Sequence, residues 1–215
     1  MGLIKQGILG GFRKKTGTVV GAYWRKLDVI RALPRNSGKG ATQLQINQQL
    51  KFGLVTSFLS NISGLIDVGF KIPNSTSTPM NQAVSYHLKE AIIGIEPDFE
   101  LDLSKVVFSR GKLDLPLEVA VSFTGAAVAN LAWPHTETDD KYVDATDVIH
   151  VLAYNPDKKK FIRVSNAATR SAMSYNLQLP ANFVGDNLHL YVAFGSTKQK
   201  MLQSETLYLG NSVVV

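Results

Sequence analysis

Four histidines, seventeen carboxylates and no cysteine set the chemistry open to this 215-residue chain. The histidines are His87, His135, His150 and His189. No two of them sit at the i,i+4 spacing that places a metal-binding pair on one helix face, and no thiolate is present to complete a mixed site. The same lack removes disulfides and thiol nucleophiles. Asp98, Glu100 and Asp102 alternate, so on a strand their carboxylates share a face. Such carboxylates could flank a sugar, but the outward polar face of a sheet explains them better. Glu137, Asp139, Asp140, Asp144 and Asp147 gather oxygens in one short stretch. Calcium is one reading and a solvated acidic loop the other, because the D-x-D-x-D-G pattern is missing. Trp133 and Tyr154 form either a sugar-stacking platform or ordinary core packing. No G-x-S-x-G, no G-x-x-x-x-G-K-[ST] and no G-x-G-x-x-G between strand and helix occurs. The expectation is a non-enzymatic protein with no catalytic residue, no cofactor and no metal site.

Charge is more informative than chemistry. Between Met1 and Lys39 stand nine basic residues, Lys5, Arg13, Lys14, Lys15, Arg25, Lys26, Arg31, Arg35 and Lys39, against Asp28 alone, a net +8. The whole chain carries +6, so the remainder carries −2. The basic isoelectric point of about 9.4 therefore belongs to one end. A localised cationic arm on a near-neutral body suggests a polyanionic partner or an acidic neighbouring subunit; a solvated, self-repelling hairpin is the alternative. The candidate interaction residues are Arg13, Lys14, Lys15, Trp24, Arg25, Lys26, Arg31 and Arg35.

The elements that must carry these residues are strands. Val19–Val20, Tyr23–Trp24 and Val29–Ile30 favour extended backbone, and glycines at 7, 10, 11, 17 and 21 cut the run into short pieces. Arg13 to Gly17 reads as one tight turn, Arg25 to Asp28 as a second, giving a hairpin or meander that ends at Pro34. Two or three such strands are marginal alone and must lean on the rest of the chain or on another copy.

Beyond a flexible linker at Asn36–Gly40 the period changes. Leu44, Leu50, Leu54, Val55, Phe58, Leu59, Ile62 and Leu65 include three- and four-residue spacings, which predict a helix over 42–61 covering a sheet face or meeting a partner helix. Asp67 to Ile72 reads as extended. Thr78 followed by Pro79 predicts a capped helix start and a second helix over 79–91. From Asp98 onward alternation predicts strands at 98–104, 117–123, 126–133, 148–154, 160–164, 174–179, 188–194 and 205–209. The fold class expected is mainly β: an N-terminal hairpin or meander, helices, then an immunoglobulin- or fibronectin-III-like β-sandwich. The segments are 1–35, the basic arm; 36–97, a linker and two-helix region; and 98–215, the sandwich.

The residues Lys5-Gln6-Gly7-Ile8-Leu9-Gly10-Gly11-Phe12, then Lys15 to Gly21, Trp24, Asp28-Val29-Ile30-Arg31 and Pro34, resemble the opening of a family of uncharacterised proteins from Bacteroidota. The likeness extends through Gln43–Leu65, Ala83–Gly94, Asp147–Pro156, Arg170, Leu179-Pro180 and Tyr191–Ser196. Where relatives carry a small Ser-Gly turn before the lysine, this chain has Arg13-Lys14. The family carries no established activity, so the resemblance transfers no catalytic residue. A weaker likeness to short phage-encoded proteins with a basic hairpin and a Gln-rich helix implies a virion or assembly component.

Together these readings lead to a structural or interaction protein, a subunit of a larger assembly that uses the basic arm for self-association or polyanion contact. The expected partners are further copies, other assembly subunits, nucleic acid or an acidic surface. A carbohydrate- or ligand-binding sandwich module is the alternative. The opening residues lack an unbroken apolar core of the kind a signal peptide needs, and no run of eighteen apolar residues occurs. The expectation is synthesis in the cytoplasm, with a virion as a further location and no membrane span.

Overall fold

The computed structural model of the protein describes residues 2–4, 11–24, 26–35, 38–71, 76–125, 127–136, 140–199 and 201–214. Among them are thirteen strands and three α-helices. The chain is mainly β and divides into two compact units, Met1–Thr42 and Gln43–Val215. The helices and the later strands lie in the second of these units.

The first unit is a four-stranded antiparallel sheet of order β1-β4-β3-β2, built from β1 (Gly2–Leu3), β2 (Lys14–Thr16), β3 (Val19–Trp24) and β4 (Leu27–Ala32). Its turns are tighter than expected. Thr16 pairs with Val19, so the first turn is only Gly17-Thr18, with Gly17 at φ +60°. A two-residue hairpin turn wants φ > 0, which glycine adopts without steric cost. The strand therefore runs up to Gly17 and draws Lys14, Lys15 and Thr16 into the ladder instead of leaving them in a loop. Likewise Trp24 pairs with Leu27, so Leu27 and Asp28 are strand residues and not part of the second turn.

In the second unit, α1 (Gln43–Ser60) buries Val55, Phe58 and Leu59. The chain then bends by 88° into α2 (Ser63–Gly69). Asp67 is therefore helical, not extended. Leu65, Ile66 and Gly69 turn to the core, and Gly69 lies so close to the 108–109 backbone that a Cβ there would meet the Phe108 carbonyl at 2.2 Å. The third helix, α3 (Pro79–Glu90), starts where Thr78 accepts a hydrogen bond from the Asn81 N–H, with proline in its first turn. Among the described residues no single helix is long and apolar enough to cross a membrane.

Residues 98–104 do not join the later sheets. β5 (Ile92–Ile95) and β6 (Asp98–Leu101) form a separate two-stranded hairpin, because Ile92 and Leu101 turn toward the helices rather than toward the strands that follow. The remaining strands are β7 (Ala120–Phe123), β8 (Val128–Ala132), β9 (Val148–Asn155), β10 (Lys160–Val164), β11 (Ser174–Gln178), β12 (Asn187–Gly195) and β13 (Leu207–Val213). They make two antiparallel sheets, β10-β9-β12-β13 and β11-β8-β7.

The strand period of two sorts their side chains into two cores. Ile149, Val151 and Ala153 of β9, with Leu188, Leu190, Val192 and Phe194 of β12, meet Ala129, Leu131 and Leu177 of the three-stranded sheet. Leu152, Tyr191 and Ala193 point the other way and join Val55, Leu59, Ile62, Ile66 and Val84 from the helices. The unit is therefore three layers: helices, a four-stranded sheet and a three-stranded sheet. Each fully buried aliphatic side chain at these interfaces contributes about 1.5–3 kcal/mol.

Candidate interaction surface

The arm sheet has two faces of different character. Directly opposed residues of an antiparallel pair share a face. One face carries Val19, Gly21, Tyr23, Asp28 and Ile30. The segment 11–13 roofs it. A Cβ on Gly21 would lie 2.1 Å from the Phe12 carbonyl oxygen, so only glycine admits the crossing chain there. A Cβ on Gly11 would meet the Asp28 carboxylate, and the Arg13 guanidinium sits 4.8 Å from the centre of the Tyr23 ring. That stacking accounts for Arg13 as a cation–π partner within the arm.

The second face carries Leu3, Val20, Ala22, Trp24, Leu27, Val29, Lys15 and Arg31. Val29 at its centre is buried, whereas Leu3 is 52% exposed, Trp24 52% and Leu27 44%. Lys15 and Arg31 are exposed on either side of Val20, and Lys26 is exposed at the hairpin tip with φ +66°. Arg35 is exposed beyond the last strand. The sheet thus brings Lys15, Trp24 and Arg31 onto one face, Lys26 to its tip, and sends Arg13 to the other face. Arg25 and Ile8 lie outside the described residues. Leu3 and Leu27 belong to this face although neither stood out in the sequence. Only the cross-strand register places them beside Trp24 and Val29.

The other sequence candidates scatter. Trp133 is buried, donates its indole N–H to the Arg170 carbonyl at 2.9 Å and meets Phe194 edge-on. Tyr154 lies on the opposite side of the four-stranded sheet, against Phe58 and Phe161. The two rings therefore do not form one platform, because the β9 pleat sends Tyr154 toward the helices.

Of the acidic loop, Glu137 and Asp139 lie outside the described residues. Asp140 caps its own turn by accepting from the Tyr142 N–H. Asp144 accepts from Lys198 at 2.5 Å and from Thr146, which holds its carboxyl well below the usual range. Asp147 is fully buried with Arg170, whose Nε lies 3.3 Å from its Oδ2. Burial raises the Asp147 carboxyl and lowers the Arg170 guanidinium, each partly countered by the other's charge. Among the described residues no three His, Asp or Glu side chains come together as metal ligands would.

Asp98 and Glu100 share the outer face of β6, opposite Ile95 and Ile93. Asp102 leaves that row, accepts from Ser104 and pairs with Lys105 at 3.6 Å.

His87 is a buried structural residue. Its Nε2 accepts from the Val107 N–H at 3.1 Å, which leaves Nδ1 to donate to the Ala83 carbonyl at 2.7 Å. The bond accepted at Nε2 needs the neutral ring, and burial lowers its pKa.

Comparison with curated proteins and with solved structures returns no match. A family model covers residues 11–210, nearly the whole chain and both of its units. The protein belongs to DUF6266, a family of unknown function.

Proposed function

We propose that this protein is a non-enzymatic structural or interaction subunit of a larger assembly, and that its basic N-terminal β-arm makes the contact, with further copies, other subunits or a polyanion. One observation carries the reading. The arm crosses one face of its sheet with its own segment 11–13, Tyr23 staying half exposed there, and leaves Leu3, Trp24 and Leu27 about half exposed on the other, around the buried Val29 and beside Lys15 and Arg31. Half-exposed aliphatic and aromatic side chains clustered among cations are the composition of a binding surface.

The seven strands β7–β13 are read as a fibronectin-III-like sandwich. Their order supports this. Lettered A to G, they pair as E-B-A and D-C-F-G, which differs from the constant-type immunoglobulin split of ABED and CFG by moving one strand to the other sheet. The weaker likeness to phage proteins makes a virion the setting we favour, in a host of the Bacteroidota.

Sedimentation velocity on the full chain tests the proposal, comparing it with Leu27→Asp and with Lys15→Glu. Concentration-dependent mass that both variants reduce supports self-association. Binding to duplex DNA or heparin whose affinity falls steeply with salt supports the polyanion arm of the proposal. A protein that stays monomeric at every concentration and ignores both polyanions rejects it.

A second reading has an observation of its own. A groove of about 580 Å³ between α1, β6 and the β9–β10 hairpin is lined by Phe58, Phe99, Tyr154 and Phe161, with Glu100 and Lys159 among its polar groups. Aromatic walls with a few polar groups suit a sugar or other small ligand. A glycan array with and without calcium distinguishes this module from the assembly subunit.

A further inference from the structure

We infer that the outer face of the β5–β6 hairpin, with the adjoining end of α1, is the receptor for the basic arm of a neighbouring copy. The inference rests on the proposed role of the arm in self-association and names the surface that the arm meets.

The hairpin register puts four side chains on one outer face: Ile93 opposite Glu100 and Ile95 opposite Asp98. Ile95 is 86% exposed and Ile93 45%, and both carboxylates are exposed beside them. An apolar row thus runs directly alongside an acidic row. The inward face, with Ile92, Phe99 and Leu101, is taken up by the helical core and by Lys51, whose Nζ lies 4.5 Å from the Phe99 ring centre. The hairpin is tied to α1 at its tip, where Asn47 Nδ2 donates to Glu96 Oε2 at 2.5 Å. On that end of α1, Leu44 and Leu50 are also exposed.

Charge selects the occupant. The surface carries Glu96, Asp98 and Glu100, so a second hairpin of the same kind would bring like charges together. Nucleic acid is excluded on the same ground. The arm face has the opposite sign and the same form: Leu3, Trp24 and Leu27 exposed on strands, flanked by Lys15 and Arg31. Two β faces packing at about 10 Å bring isoleucines against leucines and leave each acidic row opposite a basic one. Donor and receptor are different patches of the chain, so substitutions can break them separately.

The test uses full-length chains, with circular dichroism to confirm folding and sedimentation velocity over a concentration series. Lys15→Glu with Arg31→Glu reverses the donor. Asp98→Lys with Glu100→Lys reverses the receptor. Each pair is expected to raise the self-association Kd by roughly 10- to 100-fold. All four substitutions in one chain are expected to restore association. Ile95→Ser, at a position too exposed to affect folding, is expected to weaken it without any charge change. If the donor pair weakens association while the receptor pair and Ile95→Ser do not, the receptor is overturned and the role of the arm stands. Failure of the four-substitution chain to recover also overturns the receptor. If the unsubstituted chain is monomeric throughout, both fall.

Discussion

The arm sheet β1-β4-β3-β2 and the body sheet β10-β9-β12-β13 each have four antiparallel strands, yet their faces meet different surroundings. The body sheet is covered twice. The three-stranded sheet closes one side over Val151, Leu190 and Phe194, and the helices close the other over Leu152, Tyr191 and Ala193. Its strands accordingly read as near-continuous apolar runs, Val148–Tyr154 and Leu188–Phe194. The arm sheet is roofed on one side by segment 11–13 and shows Leu3, Trp24 and Leu27 on the other. Equal strand counts therefore say little about where stability resides. The body holds its fold through burial on both faces, and the arm leaves Leu3, Trp24 and Leu27 about half exposed.

That contrast can be broken or sharpened by measurement. The largest effect is expected in the body from Arg170→Ala, which leaves Asp147 as an unpaired buried charge and costs about 3–5 kcal/mol in urea unfolding. Replacing both partners together with apolar residues should cost much less, and equal losses would show that the pair itself, rather than the orphaned charge, is what matters. Leu131→Ala, in the core between the two body sheets, should cost about 2–5 kcal/mol.

Acid should act on the body next. Burial lowers the pKa of His87, His150 and His189, so the folded state binds fewer protons than the unfolded chain. Their contribution is fully present above the unfolded value near 6.5 and is lost as pH falls below it toward the folded values. His87→Gln should flatten that part of the stability–pH curve, and an unchanged slope would remove His87 from the account. The smallest effect is expected in the arm. Leu27→Ala should shift the unfolding midpoint by no more than about 0.5 kcal/mol, as an exposed substitution does. A loss comparable to that of Leu131→Ala would mean that this half-exposed position is core after all.

Local chemistry was the most legible part. Thr78-Pro79 marked the start of α3 because an N-cap hydroxyl and a proline act within one turn. Strands β8 to β12 followed from alternation or continuous apolar runs, and α1 from its three- and four-residue spacing. The errors arose where a distant partner decided the outcome. Lys14 to Thr16 looked like a turn by composition, but pairing with Val19–Gly21 pulled them into a strand. Asp67 looked extended, but Leu65 and Ile66 had a core to fill and α2 turned to fill it. Asp98 to Leu101 had the alternation of a sandwich strand, but paired with β5 instead. Trp133 and Tyr154 invited a shared platform until the β9 pleat put the sheet between them. In the arm, the cations and Trp24 were visible at once, while Leu3 and Leu27 on the same surface were not.

The sequence by itself determined the charge asymmetry, the element types and the absence of cysteine chemistry, since each depends on residue identity and on neighbours a few positions away. The tertiary structure alone decided which residues share a surface: Leu3 with Leu27 and Arg31 on the arm, Ile93 and Ile95 with Asp98 and Glu100 on the hairpin. The reason is register. A strand's side chains alternate with a period of two, so a slip of one residue in pairing moves a whole row to the other face. No local pattern records where a strand's partner lies.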